Sequence, residues 1–574
     1  MRVLRTSIVL VLLAAVATTA AAGTLDRLLP ESTVLLVSVG DITEIEAKLK
    51  ASPMHAFYQE KEVQEFLKLP RRAWDEAMEK AKGELGISPE EVLGALRGEM
   101  AFAVTGLRRL DDERQIIGVV ALFRVGENEG KIRELIARIE ENEEAMKHLR
   151  RVVTDARGAK IVSYFNKDDE DGWQRIEDDL FTGPPCYFLQ DGLLAIANDV
   201  DVLQGILARS GSEDVPSLAS HDQYRGMREQ TGARSDFMLY VNALPIWEVL
   251  KEKSADEPMV ARVMDALGVF SIRGLGYSME LTRDALVGRM FLDAPGEKRG
   301  LMRLLAAKNT ALVPPKFVPP DAGSVMTMSF DFADLWAETR RVVERIDAAA
   351  LKEMDAGIEG LKEQMGVDLV KDVIGSLGKE VTLYQLIKET TEGAMGPTAA
   401  FVPKIIVALA VNDPEALNGA LGTLLENFPF ITLAEEEYLG VKMRVMRDGP
   451  ASPALATVAG HLVIAAHVED LQAVIRATGK DVKGLVDTEA FARAMGRLPA
   501  ERMMVTFSNP KLMHQAITDF LPNIPAANLA DWVDLSLFPS WETFDKYFDV
   551  SSGVMMATDR GVLSVSRSDM KTPK

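Results

Sequence analysis

Residues 192–207 read GLLAIANDVDVLQGIL and residues 460–475 read GHLVIAAHVEDLQAVI. The phrases align without a gap, Ile196 on Ile464, Val200 on Val468 and Leu203-Gln204 on Leu471-Gln472. In both, a glycine opens a short apolar run suited to a strand. Polar residues follow, and then apolar residues three or four apart suited to a helix. A phrase of this kind written twice predicts a shared core built twice.

Further anchors extend the correspondence in both directions. FMLYVN (237–242) falls on MVTFSN (504–509), and LPESTVLLVSVGDITEI (29–45) falls on PPDAGSVMTMSFDFADL (319–335), placing Asp41 on Asp331 and Ile45 on Leu335. GISPEEVLGALRGE from Gly86 resembles GVDLVKDVIGSLGKE from Gly366, and GYSMELTRDALVGRM near Gly276 resembles GVMMATDRGVLSVSR near Gly553. Ordered anchors over that span predict a tandem duplication. The expected organisation is a segment 1–22, a first α+β unit over 23–296, a helical and proline-rich connector over 297–317, and a homologous second unit over 318–574.

Within each unit a strand, a turn and a helix recur four times. The first copy has LLVSVGDITEIEAKL, VVALFRVGENEGKIRELI, LLAIANDVDVLQGIL and FMLYVNALPIWEVL. The second has VMTMSFDFADLWAET, IIVALAVNDPEALNGAL, LVIAAHVEDLQAVI and MMVTFSNPKLMHQAI. Asp41 with Glu44 has capping-box spacing, while Asp413-Pro414 and Asn509-Pro510 set a cap residue before a proline suited to the first helical turn. RVVTDARGAKIVSYF and CYFLQDGLLAIA read as hairpins turning at Ala156-Arg157-Gly158 and at Asp191-Gly192. The predicted fold is α+β: two homologous units, each a mainly antiparallel sheet with helices on one face.

The 574 residues are 47% hydrophobic and 26% charged, a globular composition. MRVLRTSIVLVLLAAVATTAAAG has the basic start, apolar run and small-residue end of a secretory signal peptide, the alternative being an uncleaved anchor. Removing residues 1–22 takes away Arg2 and Arg5 and no acid, so the net charge of −21 becomes −23. A surface that acidic repels phosphate backbones, and nucleic acid is excluded as a partner. Cys186 is the only cysteine, so no intrachain disulfide forms, and its apolar neighbours predict a buried thiol.

The chain resembles a family of bacterial signal-peptide-bearing proteins catalogued as a domain of unknown function. The residues that carry the resemblance are Leu29-Pro30-Glu31-Ser32-Thr33, Leu377-Gly378-Lys379-Glu380 and the late FPSWETFDKYF (538–548) followed by a hairpin. It implies an extracytoplasmic protein and supplies no catalytic residue.

Catalytic and cofactor signatures are weak. The six histidines, His55, His148, His221, His461, His467 and His514, include no pair at helical metal spacing with an adjacent glutamate. His461 and His467 lie close in sequence, but their counterparts are Leu193 and Asp199. In NKDDEDGWQRIEDDL (166–180), a calcium-loop register on Gly172 puts Asp169 and Asp171 at ligand positions, with Lys167 where the first carboxylate belongs and Asp178 where a glutamate does. Ser508 and Lys511 have S-x-x-K spacing, without the companion elements of serine acyl-transfer enzymes. No catalytic, cofactor-binding or metal residue is assigned, and no cofactor is expected. The 26 methionines, among them Met503-Met504 and Met555-Met556, and a cleft between the units favour an apolar ligand as the alternative to an envelope protein partner. The expected function is an exported, non-enzymatic binding or scaffold protein; a carrier of an apolar ligand or lipid is second, and a serine hydrolase third.

Overall fold

The structure is a computed structural model that describes residues 25–109, 115–167, 183–212, 214–232, 234–253, 258–387, 404–427, 433–447, 452–520 and 533–572. The expected signal segment and the acidic stretch from residue 168 to 180 lie outside the described residues.

Among the described residues, ten strands come from the first half: β1 (Leu35–Val39), β2 (Met100–Arg109), β3 (Gln115–Arg124), β4 (Leu149–Ala156), β5 (Ala159–Asn166), β6 (Cys186–Gln190), β7 (Leu193–Ala197), β8 (Phe237–Asn242), β9 (Gly274–Leu281) and β10 (Ala285–Asp293). Ten more follow: β11 (Ala322–Ser329), β12 (Leu377–Leu386), β13 (Ile405–Val411), β14 (Leu433–Tyr438), β15 (Val441–Met446), β16 (Ala454–Val458), β17 (His461–Ala465), β18 (Met504–Ser508), β19 (Phe548–Ala557) and β20 (Gly561–Met570).

All neighbours pair antiparallel in one continuous sheet. From the first edge inward the order is β4-β5-β6-β7-β3-β2-β1-β8-β9-β10. From the other edge inward it is β14-β15-β16-β17-β13-β12-β11-β18-β19-β20, the same order with every number raised by ten. The halves meet where β10 pairs with β20 along its whole length, from Ala285↔Asp569 to Asp293↔Gly561. The expected cleft between two units is therefore replaced, at this junction, by a shared ladder.

Each of the eight strand-and-helix phrases forms as read. Their helices are α1 (Ile42–Ala51), α2 (Glu129–Glu141), α3 (Val200–Gly211), α4 (Leu244–Lys253), α5 (Phe332–Ile346), α6 (Pro414–Glu426), α7 (Val468–Ala477) and α8 (Pro510–Phe520). Asp41 accepts from the amides of Thr43 and Glu44, Asp413 from that of Ala416, and Asn509 from that of Lys511, so these polar residues satisfy free amides of the first helical turn. The turns Arg157-Gly158, Asp191-Gly192, Leu439-Gly440 and Ala459-Gly460 all have positive φ at both residues, the conformation that matches strand twist in a two-residue hairpin.

Two sequence expectations change. Helices cover both faces of the sheet in the first half, not one. Along β3, Val120 and Leu122 join one core with Leu203, Ile206 and Leu207 of α3, while Ala121 and Phe123 join another with Ile42 and Ile45 of α1 and Ile132 and Leu135 of α2. Consecutive apolar residues such as VVALF are the mark of a strand buried on both faces, since neighbours point to opposite sides. The connector helix is a short 3-10 turn, Gly300–Ala306. The amide of Gly300 donates to the buried carboxylate of Glu338 on α5.

The two halves also dock through side chains. FPSWETFDKYF packs against the helix Pro53–Gln59: Phe57 meets Phe544, Tyr547 and Phe548 edge-on at 5.1, 5.7 and 5.0 Å. Around these rings Glu60 accepts from Lys546 at 3.0 Å and from the Tyr547 hydroxyl at 2.8 Å, and Glu62 accepts from the Ser540 amide at 2.7 Å. The segment read as a family motif thus serves as a clasp between the halves.

Candidate ligand-binding site

The opening phrase builds one wall of a cavity of about 600 Å³ in the first half. That volume suits a small organic molecule. Its floor is Leu28, Phe188, Leu193 and Leu207, all buried in the core under α3. Its rim carries Arg27, Arg124 and Arg209 against one acid, Asp191, with Ser210, Ser212, Ser217 and Ser220 among the remaining lining residues.

Local folding places each arginine. Arg27 stands on the 3-10 turn Leu25–Leu28, whose leucines are buried while it faces outward. Arg124 ends β3 beside Leu193, its register partner on β7. A side chain at Gly98 would lie 2.2 Å from the Arg124 carbonyl, so the bare backbone there lets the strand entry pass close under the rim. Arg209 sits in the last turn of α3, where its charge complements the helix dipole. Its Nε donates to the Pro216 carbonyl at 2.9 Å and its Nη1 to that of Leu28 at 3.4 Å. Burial lowers the pKa of the guanidinium and Glu31 opposes that shift, so Arg209 is a partly dehydrated cation held by carbonyls.

Equivalent positions in the second half are arranged differently. The Leu218 amide donates to the Leu29 carbonyl at 2.8 Å and the Leu485 amide to the Val318 carbonyl at 2.7 Å, so Leu28 corresponds to Phe317 and Arg27 to Lys316. The same one-residue offset appears where Asn242 bonds Val34 and Asn509 bonds Gly323. An extra residue before Asp331 restores the helix alignment. Val125 and Val411 donate alike to Gly192 and Gly460, so Arg124 corresponds to Ala410. The matching buried positions of α3 and α7 set Arg209 on Ala477.

Phe317 is buried and its ring meets His461, which stands in the place of Leu193, at 5.2 Å. Gly484 replaces Ser217, and a side chain there would lie 2.0 Å from the Lys316 carbonyl, so the backbone closes in. Lys316 is 4.0 Å from Asp487, the counterpart of Ser220. Where the first half has arginines around a cavity, the second has an edge-to-face ring contact, two alanines and an ion pair.

Of the residues singled out in the sequence, Asp191 of the hairpin turn and Leu193 and Leu207 of the opening phrase line the cavity, and the candidate chemical residues lie elsewhere. His461 is hydrogen-bonded to the Ala459 carbonyl at 3.0 Å and lies 3.9 Å from Glu380. Burial pulls its pKa down, but the Glu380 carboxylate and the Ala459 carbonyl outweigh that and raise it. His467 occupies the cap position of α7, and buried His514 bonds the Pro539 carbonyl at 2.8 Å inside the aromatic clasp. Ser508 is a ladder residue between Ser324 and Ser551. Cys186 is buried, which pushes its thiol up to about 12. Met504 faces Met555 across β18 and β19, and no methionine lines the cavity. Among the described residues no three His, Cys, Asp or Glu side chains converge as a metal site requires, and no described helix is long and apolar enough to cross a membrane.

The sequence reading missed the three arginines because they lie far apart in a chain whose overall charge is acidic. Comparing the two halves position by position, Arg124 with Ala410 and Arg209 with Ala477, is the signal that finds them.

No curated protein matches the chain. Among solved structures, one titled as crystal form I of TP0453 matches over 51% of this chain and 89% of that chain, at 7% identity and a TM-score of 0.22. Cleaved kallistatin in complex with heparin matches over 48% and 79%, at 11% identity and a TM-score of 0.07. Residues 296–535, the connector and most of the second half, match the model of a family described as a protein of unknown function, DUF3352.

Proposed function

We propose that the protein is an exported, non-enzymatic binding protein of the cell envelope, formed by tandem duplication of one α+β unit, in which the first copy binds and the second supports. The observation that carries this reading is the cavity under α3, together with the different residues at the matching positions under α7, where Phe317 meets His461 and Lys316 pairs with Asp487. Two halves that share one strand order but differ in the residues around this cavity are what selection on a single binding site leaves behind. Export rests on the basic, apolar and small-residue order of residues 1–22. The carrier reading is supported by the apolar floor of Phe188, Leu193 and Leu207 beneath the rim.

Native mass spectra of the protein purified from its own compartment, recorded before and after organic extraction, test this. A discrete mass excess lost on extraction is expected. A bare polypeptide mass in both samples, with no partner recovered by gentle crosslinking in the native envelope, would sink the proposal.

A further inference from the structure

The binding reading leaves the ligand unnamed, and the rim names its chemistry. We infer that the cavity under α3 takes one small anionic molecule, its carboxylate or phosphate group held by Arg27 and Arg209 and its apolar part laid on Phe188, Leu193 and Leu207. The inference rests on the binding reading above.

Charge argues for an anion. The protein carries a net charge of −21. Three arginines against Asp191 in the lining, with Glu31 near Arg209, make the cavity locally more cationic than the chain as a whole. Arginine is suited to the task, because its planar fork matches the oxygens of carboxylate and phosphate. Arg209 is pre-positioned by the Pro216 and Leu28 carbonyls. Those bonds use Nε and Nη1, and Nη2 keeps its donors for a ligand. The hydroxyls of Ser210 and Ser212 supply further donors.

The second half supplies an internal control. It keeps the fold with Ala410 and Ala477 at the positions of Arg124 and Arg209, and pairs Lys316 with Asp487 at 4.0 Å. The strand order is therefore kept with alanine at two of these positions. An anionic ligand accounts for Arg27 and Arg209 standing together at the mouth of a cavity with an apolar floor.

The test is calorimetric titration of the full chain with dodecyl phosphate below its micelle concentration, with inorganic phosphate, and with dodecyltrimethylammonium. The expected result is one dodecyl phosphate per chain, weakened by added salt. Arg209→Gln and Arg27→Ser should each weaken it on the order of tenfold or more, as loss of a charge-assisted bond does. Arg476→Gln, one residue from Ala477 on α7, should leave it unchanged. Arg27 is exposed, so its variant keeps the test sound if Arg209→Gln does not fold. Comparable binding of inorganic phosphate assigns a free oxyanion as the source, and binding of dodecyl phosphate alone assigns an anionic amphiphile; both support the inference. Equal binding of the cationic amphiphile, no binding of either phosphate probe, or unchanged affinity in both arginine variants overturns it. An extractable neutral or cationic ligand in the native spectra would overturn the inference and leave the binding reading standing.

Discussion

Arg560, in the turn between β19 and β20, places Nη2 3.3 Å from Oδ2 of Asp293 at the end of β10. Asp293 is 1% exposed, and its other oxygen has no hydrogen-bond partner. The contact crosses the middle of the sheet, so it ties the two halves where their ladders join. Gly226 makes room for it, since a side chain there would lie 1.7 Å from Arg560 Nη1. Removing Arg560 leaves a buried carboxylate without its cation, and Arg560→Met should cost about 2 kcal/mol, less than a fully buried pair because the arginine is partly exposed. Chemical denaturation checks this, and adding Asp293→Asn should recover much of the loss.

The aromatic clasp predicts an acid response. Hydrogen bonds from Lys546 and Tyr547 hold the Glu60 carboxyl below its usual range, and bonds from the backbone and side chain of Ser540 do the same for Glu62. A carboxylate with a depressed folded pKa stabilises above its unfolded value of 4.5 and loses that contribution as pH falls through the folded value. Hydrogen exchange in residues 53–66 should therefore quicken below about pH 4.5 before the sheet strands follow. Phe57→Ala should produce the same local loosening at neutral pH and lower stability by about 2 kcal/mol.

His461 gives the opposite sign. Its folded pKa is raised above 6.5, so its contribution is full below that value and fades as pH rises through the folded one. Melting curves between pH 6 and 8 should show a loss of stability that His461→Gln removes. An unchanged slope in the variant would show that Glu380 does not stabilise the charged ring.

Cys186 should be silent to thiol reagents in the folded protein. Its sulfur is buried and donates to the Ala197 carbonyl at 3.3 Å. A thiol raised to about 12 presents almost no thiolate at pH 8. A colorimetric thiol assay should detect one group per chain only after unfolding.

Much of this architecture was legible in the sequence, because strand period, helix period and cap residues act locally. GLLAIANDVDVLQGIL shows it: the Asp191-Gly192 turn, β7, the Asp199 cap and α3 are all set by neighbours in the chain. Whatever depends on distant packing was not. The pairing of β10 with β20 joins edges that either half alone would leave open, and nothing local in ALVGRMFLD marks it. Burial of both sheet faces is readable from VVALF, against the expectation of helices on one face. The pocket arginines come from positions 27, 124 and 209, brought together only by a turn, a strand end and a helix end.

The central claim is that one half binds while its counterpart supports. Hydrogen exchange with and without dodecyl phosphate addresses it directly, because both halves report in one experiment. Protection confined to residues 25–33 and 205–221, with residues 314–322 and 472–489 unchanged, is the predicted result. Equal protection in both halves, or none in the first, would contradict it.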